Sequence, residues 1–303
     1  MQFLTIGVKG DANEILTQIN EELIYIDKQE VEFIIDQIEE KQGTSIICSV
    51  KSDNDEIEEQ KFFIFKVHVS NALAEYIIKN YEIKMLTRII NTNYCYFSQE
   101  ERKEILGIAL KLLSGEQKDF IQCLFTLRRK NIIARKLIDY LNTENSILID
   151  GFVNFRLKEY VKDLEEVIEK AVDEFLLQRE YREFIRLLRY FVEIQEPKYD
   201  IVHVIATSDK KYALLDSEKR EITNECIKDF ICEITEGEIN YDDLLVSSLI
   251  TLAPRKIVIH CTGQIRNKEL FDTITNVFVD RVNICKGCDL CISFFSSSSA
   301  IKH

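Results

Sequence analysis

The chain has 303 residues, 46% of them apolar, and a formal net charge of -13. That supplies a sizeable core for two or three domains, and the acidic balance argues against a general nucleic-acid binder, because phosphate contacts need basic surface. No stretch reaches about 18 uncharged apolar residues and no basic-then-apolar leader opens the chain, so the nine cysteines read as reduced cytosolic thiols.

The acidity belongs to one end: residues 1–60 carry four Lys or Arg against fifteen Asp or Glu. Phe3 to Val8 reads as a strand. Helix signals follow, with Asp11 as cap before Ile15, Leu16, Ile19 and Leu23, then Val31, Ile34, Ile35 and Ile38, with Gly43 as the stop. Thr44 to Val50 and Lys61 to Lys66 look like strands around an acidic loop, Asp53 to Glu59. Ser70 or Asn71 can cap a further helix through Leu73, Ile77, Tyr81 and Leu86 to about Ile90. Residues 1–95 thus form a small acidic α/β lobe.

From Ser98 the period is helical throughout. Ser98-Gln-Glu-Glu101 has the form of a capping box before a helix to about Leu113. Two segments, Gln117 to Leu127 and Asn131 to Leu141, are joined by Arg128-Arg129-Lys130, with Arg135 and Lys136 beyond. A helix-turn-helix reader is one interpretation; a basic rim satisfying nearby acids and helix ends is the other. Asp150 to Pro197 is the longest amphipathic run. Val153, Leu157, Tyr160, Leu164, Ile168 and Phe175 share one face, whereas Phe184, Ile185, Leu188, Phe191 and Val192 fall on nearly the opposite one. The phase change predicts two helices, or a sharp kink, near Leu177 to Tyr181, with Phe184, Leu188 and Phe191 buried. Arg179, Arg182, Arg186 and Arg189 then line the outside, as a solvated face or as a docking stripe for phosphates or an acidic partner.

After Pro197 the pattern alternates. Ile201 to Thr207 and Lys211 to Asp216 predict a hairpin turning at Ser208-Asp209-Lys210, with Glu221 to Thr223 as a short third strand and Cys226 to Ile234 ambiguous. Asn240-Tyr-Asp-Asp243 opens a helix that Pro254 ends, and Asp242 and Asp243 serve its start. A strand (Lys256 to Cys261), a helix (Asn267 to Phe278) and a strand (Arg281 to Cys285) make a βαβ unit with parallel strands.

Two blocks, AVDEFLLQREYREFIRLLRYFVEIQEP (171–197) and YDDLLVSSLITLAPRKIVIH (241–260), resemble the best marked blocks of the YtxC-like family, associated by name with sporulation in endospore-forming bacteria. They cover about a sixth of the chain. The resemblance implies a cytoplasmic protein in a sporulation context and brings no catalytic residue or ligand with it.

Cys285-Lys-Gly-Cys288-Asp-Leu-Cys291 is the sharpest motif, because successive C-x-x-C spacings let thiolates converge as in zinc turns and cluster loops. Cys261 ends the strand expected beside the Cys285 strand. The four-thiol set Cys261, Cys285, Cys288 and Cys291 is therefore the candidate site for zinc or an iron-sulfur cluster, with His260 expected on the opposite side of its strand. The alternative is free thiols on a disordered tail running through Ser296 to Ser299 to His303. His68, His203 and His260 read as isolated structural imidazoles, and neither a Gly-x-Ser-x-Gly elbow nor a His-Glu-x-x-His helix accompanies them.

The sequence therefore predicts a mixed α/β (α+β) protein: an acidic lobe (1–95), a central helical region (96–196) and a C-terminal α/β lobe with a hairpin, a βαβ unit and the Cys-rich tail (197–303). It points to a cytoplasmic, non-enzymatic factor without a catalytic constellation, acting on a protein partner in spore formation. A zinc or iron-sulfur protein and a nucleic-acid binder are the competing readings.

Overall fold

The computed structural model describes residues 2–9, 12–24, 32–40, 43–51, 55–114, 120–206, 212–223, 240–262 and 267–292. The fold is α+β, with two four-stranded sheets, and contacts divide the chain into two compact units, Met1–Leu177 and Gln178–His303.

In the first unit, strands β1 (Gln2–Val8), β2 (Glu32–Glu40), β3 (Gly43–Lys51) and β4 (Ser146–Leu148) make a sheet in the order β2-β3-β1-β4. β3 is antiparallel to both β1 and β2, and β4 is parallel to β1. Leu4, Ile6 and Val8 alternate into the core opposite Ile46 and Cys48, the period-two burial of a sheet with one covered face. A Cβ on Gly43 would meet the Val8 carbonyl oxygen at 2.2 Å, so only glycine fits where β3 begins. Helices α1 (Asn13–Leu23), α2 (Asp55–Asn93), α3 (Gln99–Ser114), α4 (Phe120–Thr143) and α5 (Ile149–Arg156) belong to this unit, and α6 (Lys158–Ile194) begins in it. α2 packs on α1, α3 and α4.

Several expectations are corrected here. The Ile34, Ile35 and Ile38 spacing imitates a helix, but these residues lie in β2, whose backbone pairs with β3 from Glu32 opposite Lys51 to Glu40 opposite Gly43. Lys61 to Lys66 is not a strand: Phe62, Phe65, Val69, Leu73 and Tyr76 are buried at helical spacing along α2. Ser70 is inside that helix, its hydroxyl donating to the Lys66 carbonyl at 2.7 Å, so it caps nothing. Arg128-Arg129-Lys130 is not a turn either, because α4 runs through it, and with it goes the helix-turn-helix. The break near Leu177 to Tyr181 is absent, and α6 is one element. The change of face is real but narrower than expected. Tyr160, Leu164, Ile168, Ala171 and Phe175 are buried before the boundary and Ile185 and Val192 after it, while Phe184 and Phe191 are about half exposed, at 52% and 48%.

The capping box holds as expected: the Ser98 amide donates to Glu101 Oε2 at 2.7 Å and the Glu101 amide to Ser98 Oγ at 3.2 Å. Asp11, the Ser208 to Lys210 turn, Cys226 to Ile234 and the Ser296 to His303 tail lie outside the described residues.

In the second unit β5 (Ile201–Ala206), β6 (Tyr212–Leu215), β7 (Lys256–His260) and β8 (Val282–Ile284) form a sheet in the order β6-β5-β7-β8. The hairpin and the parallel βαβ pairing are both present, with β5 antiparallel to β6, β7 parallel to β5, and β8 parallel to β7. Glu221 contributes an isolated bridge to Leu215 in place of a third strand. Helices α7 (Tyr241–Leu252) and α8 (Lys268–Phe278) start at Asn240 and Asn267, whose side chains accept from the first-turn amides. Asp242 ties the region together, accepting from Tyr212 Oη at 2.7 Å and from Asn267 Nδ2 at 2.8 Å. Val202, Val204, Leu249, Ile257, Ile259 and Ile274 are among the buried side chains of its core.

Candidate metal centre

The site is assembled where β7 and β8 end. β7 carries His260 to its last position, and the Cys285 amide donates to the Ile259 carbonyl at 2.9 Å, extending the parallel pairing one residue beyond β8. Gly287 takes φ +125°, a conformation glycine adopts without strain, and turns the chain back. Its amide points at Cys285 Sγ, 3.4 Å away. A helical turn at residues 289–292 then brings in Cys291, the Ile292 amide donating to the Cys288 carbonyl at 3.1 Å.

The result is a cluster of His260 Nδ1 and the sulfurs of Cys285, Cys288 and Cys291, all within 4.8 Å of one another. Cys288 Sγ lies 3.4 Å and Cys291 Sγ 3.6 Å from His260 Nδ1, and Cys291 Sγ is 3.8 Å from the sulfurs of both Cys288 and Cys285. Zinc bonds of about 2.3 Å to sulfur and about 2.05 Å to nitrogen, at tetrahedral angles, require sulfurs about 3.8 Å apart and sulfur to nitrogen about 3.6 Å. Four of the six separations, at 3.4 to 3.8 Å, lie close to these values, and the other two are within 4.8 Å. His260 and Cys291 are buried, Cys285 and Cys288 half-buried.

The cluster differs from the sequence-derived set at one member. Cys261 is buried and packs with Cys291, but it stands outside the group of mutually close ligand atoms, and His260 takes the fourth place. Alternation of side chains along β7 places the two residues on opposite sides, and the side expected to face the thiols was that of Cys261, whereas His260 Nδ1 lies 3.4 Å from Cys288 Sγ and 3.6 Å from Cys291 Sγ. The cysteine triplet closes on the side that His260 faces, and Cys261 leaves the strand with φ 55°, so strand geometry no longer governs it. The thiols differ electrostatically as well. Burial, followed by its neighbour Cys291, pushes Cys261 up to about 11. Burial opposes the Cys291 thiolate too, but backbone amides of Cys288 and Cys261 and the thiols of Cys285 and Cys288 outweigh it, leaving that pKa below the ordinary thiol value. The imidazole of His260 is held below its ordinary pKa, chiefly by burial and then by His203, which favours the neutral ring a metal needs.

The arginine stripe is exposed at all four positions, Arg179, Arg182, Arg186 and Arg189. Arg186 pairs with Glu183 at 2.8 Å, and Arg189 donates to the Asn276 carbonyl at 2.6 Å. Three members of the basic run of α4 are engaged with acids: Lys130 with Glu75 at 2.8 Å and Lys136 with Glu159 at 2.7 Å, while Arg129 is tied to buried Glu82. Sequence reasoning missed this last contact. Tyr160 also donates to Glu82, and Arg129 reaches the Leu113 carbonyl at 3.2 Å, closing the end of α3. A cavity of about 320 Å³ lies beside Arg129 and Tyr160. Nothing in the sequence flagged the contact, because Arg129 and Tyr160 stand 47 and 78 positions from Glu82.

A model of the YtxC-like family matches residues 67–283. The chain is 29% identical over 215 residues to "Uncharacterized protein YtxC" of Bacillus subtilis (strain 168), covering 70% of this chain and 74% of that relative. No solved structure matches. The matched stretch includes His203 and His260 and ends two residues before Cys285.

Proposed function

This chain belongs to the YtxC-like family, and we propose that it is a cytoplasmic, non-enzymatic zinc protein that acts by protein contact in spore formation. The observation that carries the metal reading is the match of four of the six ligand-atom separations to a tetrahedral zinc site, with all four atoms within 4.8 Å of one another. Four protein ligands fill zinc's coordination and leave no open position for substrate, which is the arrangement of structural sites. Such an ion would tie the ends of β7 and β8 to the turn that follows, where the buried apolar cluster among the described residues is Ile205, Leu215, Cys261 and Cys291. Metal binding free energy there substitutes for apolar burial. An iron-sulfur cluster fits less well, because its cysteines surround a body of several irons, whereas these ligand atoms converge on the space of a single ion.

Elemental analysis and an absorption spectrum of anaerobically purified protein test this. One zinc per chain with no visible absorption is expected. Iron with sulfide and a brown colour would establish the cluster, and metal-free protein that takes up no zinc would remove the site.

The spore-formation context rests on the family resemblance. The contact role is supported by the exposed guanidinium groups of α6, whose planar forks suit carboxylates. Co-purification from sporulating cells, compared between wild type and an Arg182→Glu, Arg186→Glu variant, tests it. Loss of a specific partner in the variant is expected; unchanged capture removes the arginines from the account.

No described helix is long and apolar enough to cross a membrane.

A further inference from the structure

The zinc reading leaves one histidine unexplained. The parallel register of β5 and β7 sets Ile205 beside His260, and His203, two residues earlier on the same face, turns its ring toward the His260 ring. His203 Nδ1 lies 2.9 Å from His260 Nε2, with ring centroids 5.1 Å apart. His260 therefore spans two partners: Nδ1 faces the sulfurs and Nε2 faces His203.

From this geometry we infer that His203 is a positioning residue for the metal, an outer-sphere acceptor that fixes the tautomer and orientation of His260. The inference rests on the zinc reading above. A hydrogen bond between two neutral imidazoles contains one proton, so two arrangements exist. If His203 Nδ1 carries it, His260 Nε2 is the acceptor and His260 Nδ1 bears a proton toward the sulfurs, where it cannot ligate. If His260 Nε2 carries it, His203 Nδ1 accepts and His260 Nδ1 presents a lone pair to the space between the thiols. Only the second arrangement binds a cation, and loading the site selects it. The consequence extends to His203 itself, whose remaining proton is then on Nε2. Ligating histidines ordinarily donate their second N–H to a carboxylate, a carbonyl or water. Here a second imidazole fills that role, which also brings β5 into a site whose ligands all come from β7 onward.

Three readings on full-length protein test this: zinc affinity by competition with a chromophoric chelator, the visible spectrum of the cobalt(II)-loaded form, and the tautomers of both rings by long-range ¹H–¹⁵N correlation. His203→Ala is expected to weaken zinc binding by about 10- to 100-fold, the usual effect of removing such a partner. His203→Gln, whose amide oxygen can accept from Nε2–H, is expected to recover much of that loss. The zinc-loaded wild type is expected to show His203 protonated on Nε2 alone, a measurement that needs no variant to fold. Wild type that binds zinc while His203→Ala binds it equally well with an unchanged cobalt spectrum, or zinc-loaded wild type with His203 protonated on Nδ1, overturns this inference and leaves the zinc reading standing. Wild type that takes up no zinc overturns both.

Discussion

Cys288 Sγ stands 3.8 Å from Cys291 Sγ, the length of one edge of a tetrahedron around zinc. The three-residue spacing produces that edge because the chain turns at Gly287 and then enters a helical turn, so the two thiols face the same space. Serine at either position keeps the size and removes the soft ligand. Cys288→Ser and Cys291→Ser are each expected to lower zinc affinity by at least tenfold, whereas Cys261→Ser is expected to bind nearly as wild type does. Chelator competition on the three variants checks this, and a loss for Cys261→Ser as large as for the other two would restore the four-thiol set.

Along α6 the packing of the second unit falls on Ile185 and Val192, not on the phenylalanines beside them. Ile185→Ala is expected to cost about 2 to 5 kcal/mol, and Phe184→Ala, at a half-exposed position, about 0.5 kcal/mol or less. Denaturant unfolding curves of the two variants give the comparison; equal losses would mean that Phe184 is covered in solution.

In the first unit, buried Glu82 accepts from both Arg129 and Tyr160. Removing one partner of such a pair leaves a charge in low dielectric, so Glu82→Ala is expected to cost about 3 to 5 kcal/mol. Tyr160→Phe leaves the ion pair intact and removes one charge-assisted hydrogen bond, so about 1.5 to 3 kcal/mol is expected. Thermal and urea unfolding check the order of the two; a smaller loss for Glu82→Ala than for Tyr160→Phe would contradict it.

Asp216 closes the turn after β6, accepting from the amides of Glu218 at 2.8 Å and Arg220 at 2.9 Å and from the Arg220 side chain at 2.9 Å. The Arg220 amide foremost, then the Arg220 side chain and the Glu218 amide, hold its pKa below the ordinary carboxylate value against the opposing effect of burial. A depressed carboxylate stabilises the fold above its unfolded pKa, and that contribution is lost as pH falls through the folded one. Asp216→Asn is therefore expected to melt below wild type near neutral pH, with the difference shrinking below about pH 4. Melting curves across that range check the sign, and a gap that widens in acid would reverse it.

How far the fold could be read from sequence depended on what decided each element. The Ser98 box, the β5-β6 hairpin and the βαβ unit are set by local chemistry, by capping side chains, alternation and connection length, and all three are present. β2 escaped because Ile34, Ile35 and Ile38 fit a helical spacing while backbone pairing with β3 decides their conformation. α2 was cut short because Phe62 to Phe65 is a short continuous apolar run that also fits a strand, although burial continues at helical spacing through Tyr76. Of the candidate site, the three tail cysteines were legible from spacing alone. The fourth member of the cluster was not, since it depends on which way one side chain points at the end of a strand. A Cys triplet one ligand short, beside a strand ending His260-Cys261, was the available signal.

The most direct test is zinc K-edge X-ray absorption of the purified, zinc-loaded protein, because it counts ligands by element. A shell of three sulfurs at about 2.3 Å and one imidazole nitrogen at about 2.0 to 2.1 Å is expected. A four-sulfur shell would place Cys261 in the site in place of His260, and a shell of nitrogen and oxygen alone would contradict the site altogether.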